Sequence, residues 1–312
     1  MKKDSRIYVA GHNGLVGSAI YRNLLNEGYE NLIVKDHADL DLTRQIDVEN
    51  FFKEYCPEYV FLSAAKVGGI LANNTYPGDF IYINLSIQNN VLKMCKDYGS
   101  KTIFLGSSCI YPRDAAQPIF EESLLTGTLE QTNEAYAVAK IAGLKTCQYF
   151  NRQYGTNLMS IMPSNVYGPG DNFDPHNSHV LAGLLRRFHE AKKTGNSKAI
   201  VWGSGSPRRE FIHVDDLAQA CIFLMENYDA QDIQDVINIG AGYDIQISEL
   251  AKMIARIVEF EGEIVFDTTK PDGTPRKLLN IDRIMKLGWN PQVSLEKGIL
   301  ETYRWAKEHV FI

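Results

Sequence analysis

The chain has no cysteine pair at redox or metal-ligand spacing. Its five cysteines, Cys56, Cys95, Cys109, Cys147 and Cys221, are odd in number and contain no Cys-x-x-Cys. No disulfide framework and no metal site are therefore expected, and the thiols read as reduced groups of a cytoplasmic protein. It lacks an apolar run long enough to span a bilayer. Met1-Lys2-Lys3-Asp4 leads straight into a strand-like segment, so no signal peptide and no membrane attachment are expected. It also lacks a basic excess: 32 Lys and Arg against 38 Asp and Glu give a net charge of −6. No global field draws in nucleic acid, and an anionic ligand must be met by a local arginine cluster. Internal repeats and low-complexity tracts are absent as well.

What is present is a large apolar complement, 45% of 312 residues, ample for a sizeable core in one or two domains. Apolar strand candidates recur at 7–10, 31–35, 58–64, 102–106, 158–163 and 236–240. Helical patterns fill 14–27, 45–55, 80–98 and 136–154. Strands alternating with helices predict an α/β protein with a Rossmann-like, doubly wound parallel sheet. After about residue 166 the pattern changes to loops rich in Gly, Pro and Asn, a helix near 179–193 and short strands. This predicts a smaller, interleaved C-terminal α/β substrate domain. The expected division is 1–165 plus about 211–240 for the dinucleotide-binding domain, and about 166–210 plus 241–312 for the substrate domain.

Ile7-Tyr8-Val9-Ala10 reads as a buried strand, followed by Gly11-His12-Asn13-Gly14-Leu15-Val16-Gly17 and an apolar helix. Strand, glycine turn and helix form the layout of a dinucleotide-binding unit, here spaced G-x-x-G-x-x-G. Glycine lets the backbone approach a pyrophosphate, and the helix N-terminus supplies oriented N–H groups.

Tyr136 and Lys140 lie four residues apart in E-A-Y-A-V-A-K, a spacing that shares one helix face. An ammonium beside a phenol lowers the phenol's pKa, so that it can exchange a proton with a carbonyl or alcohol oxygen. Ser107, after the strand-like T-I-F-L-G, can hold that oxygen. Tyr303 and Lys307 repeat the spacing without a Gly-Ser-Ser strand before them, and read as part of an amphipathic surface helix.

Several longer segments are more specific: A-A-K-V-G-G-I at 64–70, G-S-S-C-I-Y-P at 106–112 and Y-A-V-A-K-I-A-G at 136–143. They are joined by N-V-Y-G-P-G-D-N-F at 165–173, N-S-H-V at 177–180, V-W-G-S-G-S-P-R-R-E-F-I-H-V-D-D at 201–216 and K-P-D-G-T-P-R-K-L-L at 270–279. Through them essentially the whole chain resembles the extended short-chain dehydrogenase/reductases and, within these, the GDP-L-fucose synthase family. The resemblance implies two activities on a GDP-4-keto-6-deoxy-D-mannose: 3,5-epimerisation, then NADPH-dependent reduction at C4. It implies Tyr136 as proton donor, Lys140 as its tuner, Ser107 as oxygen anchor, Cys109 as epimerising base and His179 as acid. Cys109 lies two residues after Ser107, so an extended segment would point both side chains the same way.

The resemblance also implies NADP contacts from Gly11, His12, Asn13, Gly14, Leu15, Val16 and Gly17, and from His37, Asp41 and Leu42. Further contacts would come from Leu105, Gly106, Ser107 and Ser108, from Lys140, from Pro163, Ser164, Asn165 and Val166, and from His179. Arg187, Trp202, Arg209 and Asp272 match its substrate-binding positions: forked donors for a pyrophosphate, a flat face for a base or sugar, and a carboxylate for sugar hydroxyls. Arg186, Arg208, Arg276 and Lys277 add local positive charge. His213, in F-I-H-V-D-D, reads as structural, and so do the four cysteines other than Cys109. One departure concerns the cofactor. Family members that prefer NADP carry arginines where this chain has Asn13 and His37. Lys35 and Arg44 are nearby substitutes, but Asp36 favours a free ribose hydroxyl. The residues alone therefore allow NADH beside NADPH.

Three other readings share the fold. They are an enzyme acting on a GDP-4-keto-6-deoxyheptose, a nucleotide-sugar 4-epimerase, and a non-enzymatic nucleotide sensor. By analogy the fold also implies a homodimer through two helices, 84–98 and 136–154. The candidate contacts are Ile83, Ile87 and Val91 on the first, and Ala142, Thr146, Tyr149 and Gln153 on the second.

Overall fold

The computed structural model describes residues 1–312 other than 176, 177, 235 and 271. Asn177 of N-S-H-V and Pro271 of K-P-D-G lie outside the described residues.

The first half runs β1 (Ile7–Ala10), α1 (Leu15–Asn26), β2 (Leu32–Ile33), α2 (Gln45–Tyr55), β3 (Tyr59–Leu62), a short α3 (Ile70–Thr75), α4 (Pro77–Tyr98), β4 (Lys101–Leu105), α5 (Glu134–Tyr154) and β5 (Leu158–Pro163). The second half runs β6 (Asn165–Tyr167), α6 (Val180–Lys193), β7 (Lys198–Trp202), β8 (Arg208–Arg209), β9 (Phe211–His213), α7 (Val214–Asn227), β10 (Val236–Ile239), β11 (Ile245–Gln246), α8 (Ile247–Val258), β12 (Glu263–Asp267), β13 (Arg276–Lys277), α9 (Asp282–Lys286) and α10 (Leu295–His309).

Six strands form one sheet in the order β10-β5-β4-β3-β1-β2, and every pairing is parallel. A parallel sheet is covered on both faces, so its strands are continuously apolar rather than alternating. β1, β5 and β10 are buried at every residue. The order reverses between β1 and β3, and a doubly wound sheet opens its binding crevice at that switch point, beyond the strands' carboxyl ends. Ala10, Leu62, Leu105 and Pro163 end their strands there, and the glycine turn, Ser107 and Asn165 follow them.

Two buried clusters divide the chain. One holds the six-stranded sheet with its helices, joined by Leu279, Ile281, Ile284 and Trp289 from the C-terminal stretch. The other is built from α6, α8 and α10 against β7 and β9. Short two- and three-stranded sheets, β12-β7 and β11-β8-β13, lie beyond the large sheet. Tyr303, expected on a surface helix, is 6% exposed and packs in the second cluster. Its helix is amphipathic, and Ile299, Thr302, Tyr303 and Ala306 form the buried face. His213 is buried and caps α7, its ring accepting the Asp215 N–H. Among the described residues no helix is long and apolar enough to cross a membrane.

Candidate active site

At the switch point one cavity of about 920 Å³ runs from the glycine turn and the end of β2 to the β7–β8 and β12–β13 loops. Gly11 has φ +84°, and a Cβ there would lie 2.8 Å from Ala64 backbone atoms. At Gly17 a Cβ would come 2.1 Å from the Gly11 oxygen. Both positions are therefore closed to larger residues, and Leu15, Val16 and Gly17, the first turn of α1 with its intrahelically unpaired N–H groups, line the cavity. A phosphate or pyrophosphate fits that cradle.

The cavity also gathers His37, Asp41, Leu42, Leu105, Gly106, Ser107, Ser108, Cys109, Tyr136, Lys140, Pro163, Ser164, Asn165, Val166 and His179, with Arg187, Trp202, Arg209 and Asp272 at its far end. His12 and Asn13 are not among its lining. They turn to Asp36: the Asn13 amide donates to Asp36 Oδ1 at 2.6 Å, and His12 Nε2 lies 3.5 Å from the same oxygen. The carboxylate expected to favour a free 2′-hydroxyl is thus already engaged. Of the substitutes, Lys35 lines the cavity and donates to the Tyr55 hydroxyl at 2.8 Å, whereas Arg44 pairs with Asp47 at 3.5 Å. Asp41 accepts from Thr43 N–H and Oγ at 2.9 and 2.7 Å, which lowers its pKa.

The helix spacing places Tyr136 and Lys140 as expected. Lys140 Nζ sits 5.7 Å from the centre of the Tyr136 ring and donates to the Leu105 carbonyl at 2.8 Å. The electrostatics differ from the sequence expectation. Burial pushes the Tyr136 phenol up from its ordinary 10.0 rather than down, with Cys109 adding to the rise. Burial likewise pulls Lys140 down from 10.5 to about 8. Desolvation outweighs the cation because both groups lie inside the protein. Tyr136 therefore holds its proton at neutral pH, the state a donor to a ketone requires.

Ser107 and Cys109 share the cavity, but not through an extended segment. Residues 108–110 form a 3-10 turn, capped by Ser107, whose Oγ accepts the Cys109 N–H at 3.3 Å. The serine cap satisfies an otherwise unpaired N–H at the start of the turn, and Ser108, Cys109 and Ile110 are all buried. Burial raises the Cys109 pKa, opposed by Lys277, by a hydrogen bond from Ser107 and by Lys140. Lys277 was read from the sequence only as general positive charge. Its placement beside Cys109 comes from β13, 168 residues further on, where local spacing carries no signal. Among the described residues it makes no salt bridge. Arg186, Arg208 and Arg276 pair instead with Glu190, Asp244 and Asp244.

His179 occupies the N-cap position of α6 without a side-chain cap hydrogen bond, and Val180, Gly183, Leu184 and Arg187 of that helix line the cavity at i, i+3, i+4 and i+7, one face of a helix. Desolvation in the cavity wall lowers the His179 pKa below 6.5, although the residue is exposed to the open cavity. The Arg187 guanidinium lies 4.2 Å from the Trp202 ring centre, so one indole face is already taken by a cation. The Asp272 carboxylate accepts both the N–H and the hydroxyl of Ser204, one on each oxygen and each at 2.7 Å, which leaves a further acceptor site on each oxygen.

Residues 7–240 match the NAD dependent epimerase/dehydratase family, and the chain belongs to it. It is 57% identical over 309 residues to GDP-L-fucose synthase 1 of Arabidopsis thaliana, covering 99% of this chain and 95% of that protein. It is 51% identical over 311 residues to the GDP-L-fucose synthase of Escherichia coli (strain K12), covering 97% of each. Among solved structures it is similar to a GDP-mannoheptose C4 reductase from Campylobacter jejuni with NADP bound, at 42% identity and a TM-score of 0.92, covering 98% and 99%.

Proposed function

We propose that the protein converts GDP-4-keto-6-deoxy-D-mannose to GDP-L-fucose, by epimerisation at C3 and C5 and NADPH-dependent reduction at C4. The observation that carries this reading is the presence of both residue sets in one cavity: Ser107, Tyr136 and Lys140 for an oxygen that gains a proton, and Cys109 with His179 for carbon inversion. Identity above 50% to GDP-L-fucose synthases over nearly the whole chain supports it, against 42% to the heptose reductase. Residues 1–165 with about 211–240 would hold the cofactor, and the remainder the sugar nucleotide.

NADPH, when bound, supplies the hydride for C4. Ser107 holds the C4 oxygen. While C4 is a ketone, the neighbouring C–H bonds are acidic, so Cys109 and His179 act first, one removing a proton and the other returning one to the opposite face. Tyr136 then gives its proton to the C4 oxygen, and Lys140, anchored on Leu105, stabilises the phenolate left behind. Coupled consumption of NADPH with GDP-4-keto-6-deoxymannose checks the substrate. Turnover confined to the keto-heptose would overturn it.

The pair's pH dependence follows from its two shifts. Cys109, raised above 9.0, is a thiol at neutral pH, and His179, lowered below 6.5, is a neutral imidazole. Moving one proton from sulfur to imidazole makes the base and acid without changing the proton count. The active fraction is therefore constant between the two apparent pKa values, which belong to the pair. Epimerisation should be flat from below 6.5 to above 9.0, falling at lower pH as His179 protonates without thiolate and at higher pH as the acid is lost. A rate that climbs tenfold per pH unit across neutrality would contradict this.

A homodimer through α4 and α5 is part of the reading. Tyr82, Val138 and Tyr149 are 71%, 40% and 53% exposed on these two packed helices. Ile83 and Ile87 instead line the cavity and Val91 is fully buried, so these three candidates face inward. A monomer in analytical ultracentrifugation would refute the dimer. The free, mostly buried thiols support a cytoplasmic location, and recovery from a secreted or membrane fraction would contradict it.

A further inference from the structure

Two loops close the far end of the cavity. The first, 203–207, joins β7 to β8; the second, 268–275, joins β12 to β13. They leave their strands side by side. Trp202 is in register with Asp267, and the Gly203 N–H donates to the Asp267 carbonyl at 2.9 Å. They also end side by side, where the Arg208 N–H donates to the Pro275 carbonyl at 2.9 Å and β8 pairs with β13. Between these ends, the only side-chain hydrogen bonds that cross among the described residues are those joining Ser204 to Asp272.

That contact is specific. The Ser204 N–H and Oγ donate to separate oxygens of Asp272, each at 2.7 Å. Ser204 Oγ in turn accepts the Ser206 N–H at 3.1 Å. Gly203 is needed beside it, since a Cβ there would lie 2.4 Å from Asp272 Oδ1. The first loop is flanked by Trp202 and Arg209. The second passes beside Arg209: a Cβ built on Gly273 would be 3.4 Å from its guanidinium. Gly273, Thr274 and Lys277 line the cavity from that side.

We infer that Ser204 is a positioning residue. It ties down Asp272, and the clasp holds the second loop against Arg209, so that the guanidinium is aimed before a nucleoside diphosphate arrives. Asp272 then contributes to binding through Ser204 rather than by meeting the sugar. Preorganisation of this kind raises affinity by reducing what must be ordered on binding. The inference rests on the nucleotide-sugar reading above. Losing hydrogen bonds to a charged group corresponds to about tenfold or more in affinity.

The test is a double-mutant cycle on GDP affinity, by titration calorimetry of the full chain, with NADP⁺ affinity as the check that the fold is intact. Ser204→Ala and Asp272→Ala should each weaken GDP binding by about tenfold. The double variant should be no weaker than Asp272→Ala alone. NADP⁺ affinity should stay unchanged, and Ser204→Thr should restore GDP binding. Wild-type GDP affinity in Ser204→Ala would overturn the clasp. So would additive losses, which would mean that Asp272 meets the ligand independently. Absence of GDP binding by the wild-type chain would overturn the nucleotide-sugar reading, and this inference with it.

Discussion

Tyr136→Phe should lower C4 reduction by about a thousandfold, the middle of the range for removing a positioned proton donor. The ring would remain. Its edge contact with Phe80, centroids 6.3 Å apart, and its place beside Lys140 do not involve the hydroxyl. NADPH affinity should therefore be unchanged, and only the step that leaves an alkoxide at C4 should suffer. Single-turnover oxidation of bound NADPH measures that step directly. Burial has raised this phenol, so the wild-type enzyme keeps the proton in place throughout the neutral range. A variant that turns over normally would remove Tyr136 from the chemistry.

Cys109→Ser should leave reduction largely intact and reduce epimerisation by at least about a hundredfold, because a serine hydroxyl is a far weaker base than a thiolate. The expected product changes accordingly, to a C4-reduced sugar that has not been inverted. The substitution replaces one small side chain at a 7% exposed position, where the capping Ser107 and the 3-10 turn remain. Its effect should thus fall on chemistry rather than on folding. L-fucose formed at the normal rate by this variant would exclude Cys109 as the base. Lys277 and Lys140 both oppose the rise in the thiol's pKa, so the base depends on two charges from different parts of the chain.

Most of the large sheet was legible in the sequence because a buried parallel strand is a short apolar run closed by a turn, and six such runs recur. The edge strand was overread: 31–35 was expected, and only Leu32 and Ile33 pair with β1. Among the described residues β2 has one neighbour and ends the ladder. In the second half, α8 was missed although Ile247, Leu250, Ala251, Ile254 and Val258 repeat at helical spacing. There the loop-rich composition hid a periodic signal.

The site shows the same boundary between local and non-local information. Tyr136 with Lys140, and the glycine turn, are set by short spacings and fell where expected. Four features depended on residues far apart in sequence. Asp36 is engaged by His12 and Asn13 across 24 and 23 residues. Lys277 stands beside Cys109, Asp272 is held by Ser204, and burial reverses the expected shift of Tyr136. None of these follows from motif spacing, because each is decided by packing between segments distant in sequence.

Whether one cavity both inverts and reduces the sugar is decided by incubating the protein with GDP-4-keto-6-deoxymannose and NADPH in D₂O and identifying the product by NMR. GDP-L-fucose carrying deuterium at C3 and C5 is the predicted result, since each inverted carbon takes its new hydrogen from solvent through Cys109 or His179. A reduced sugar without deuterium and without inversion would contradict the account, leaving a C4 reductase in which Cys109 and His179 do no proton transfer.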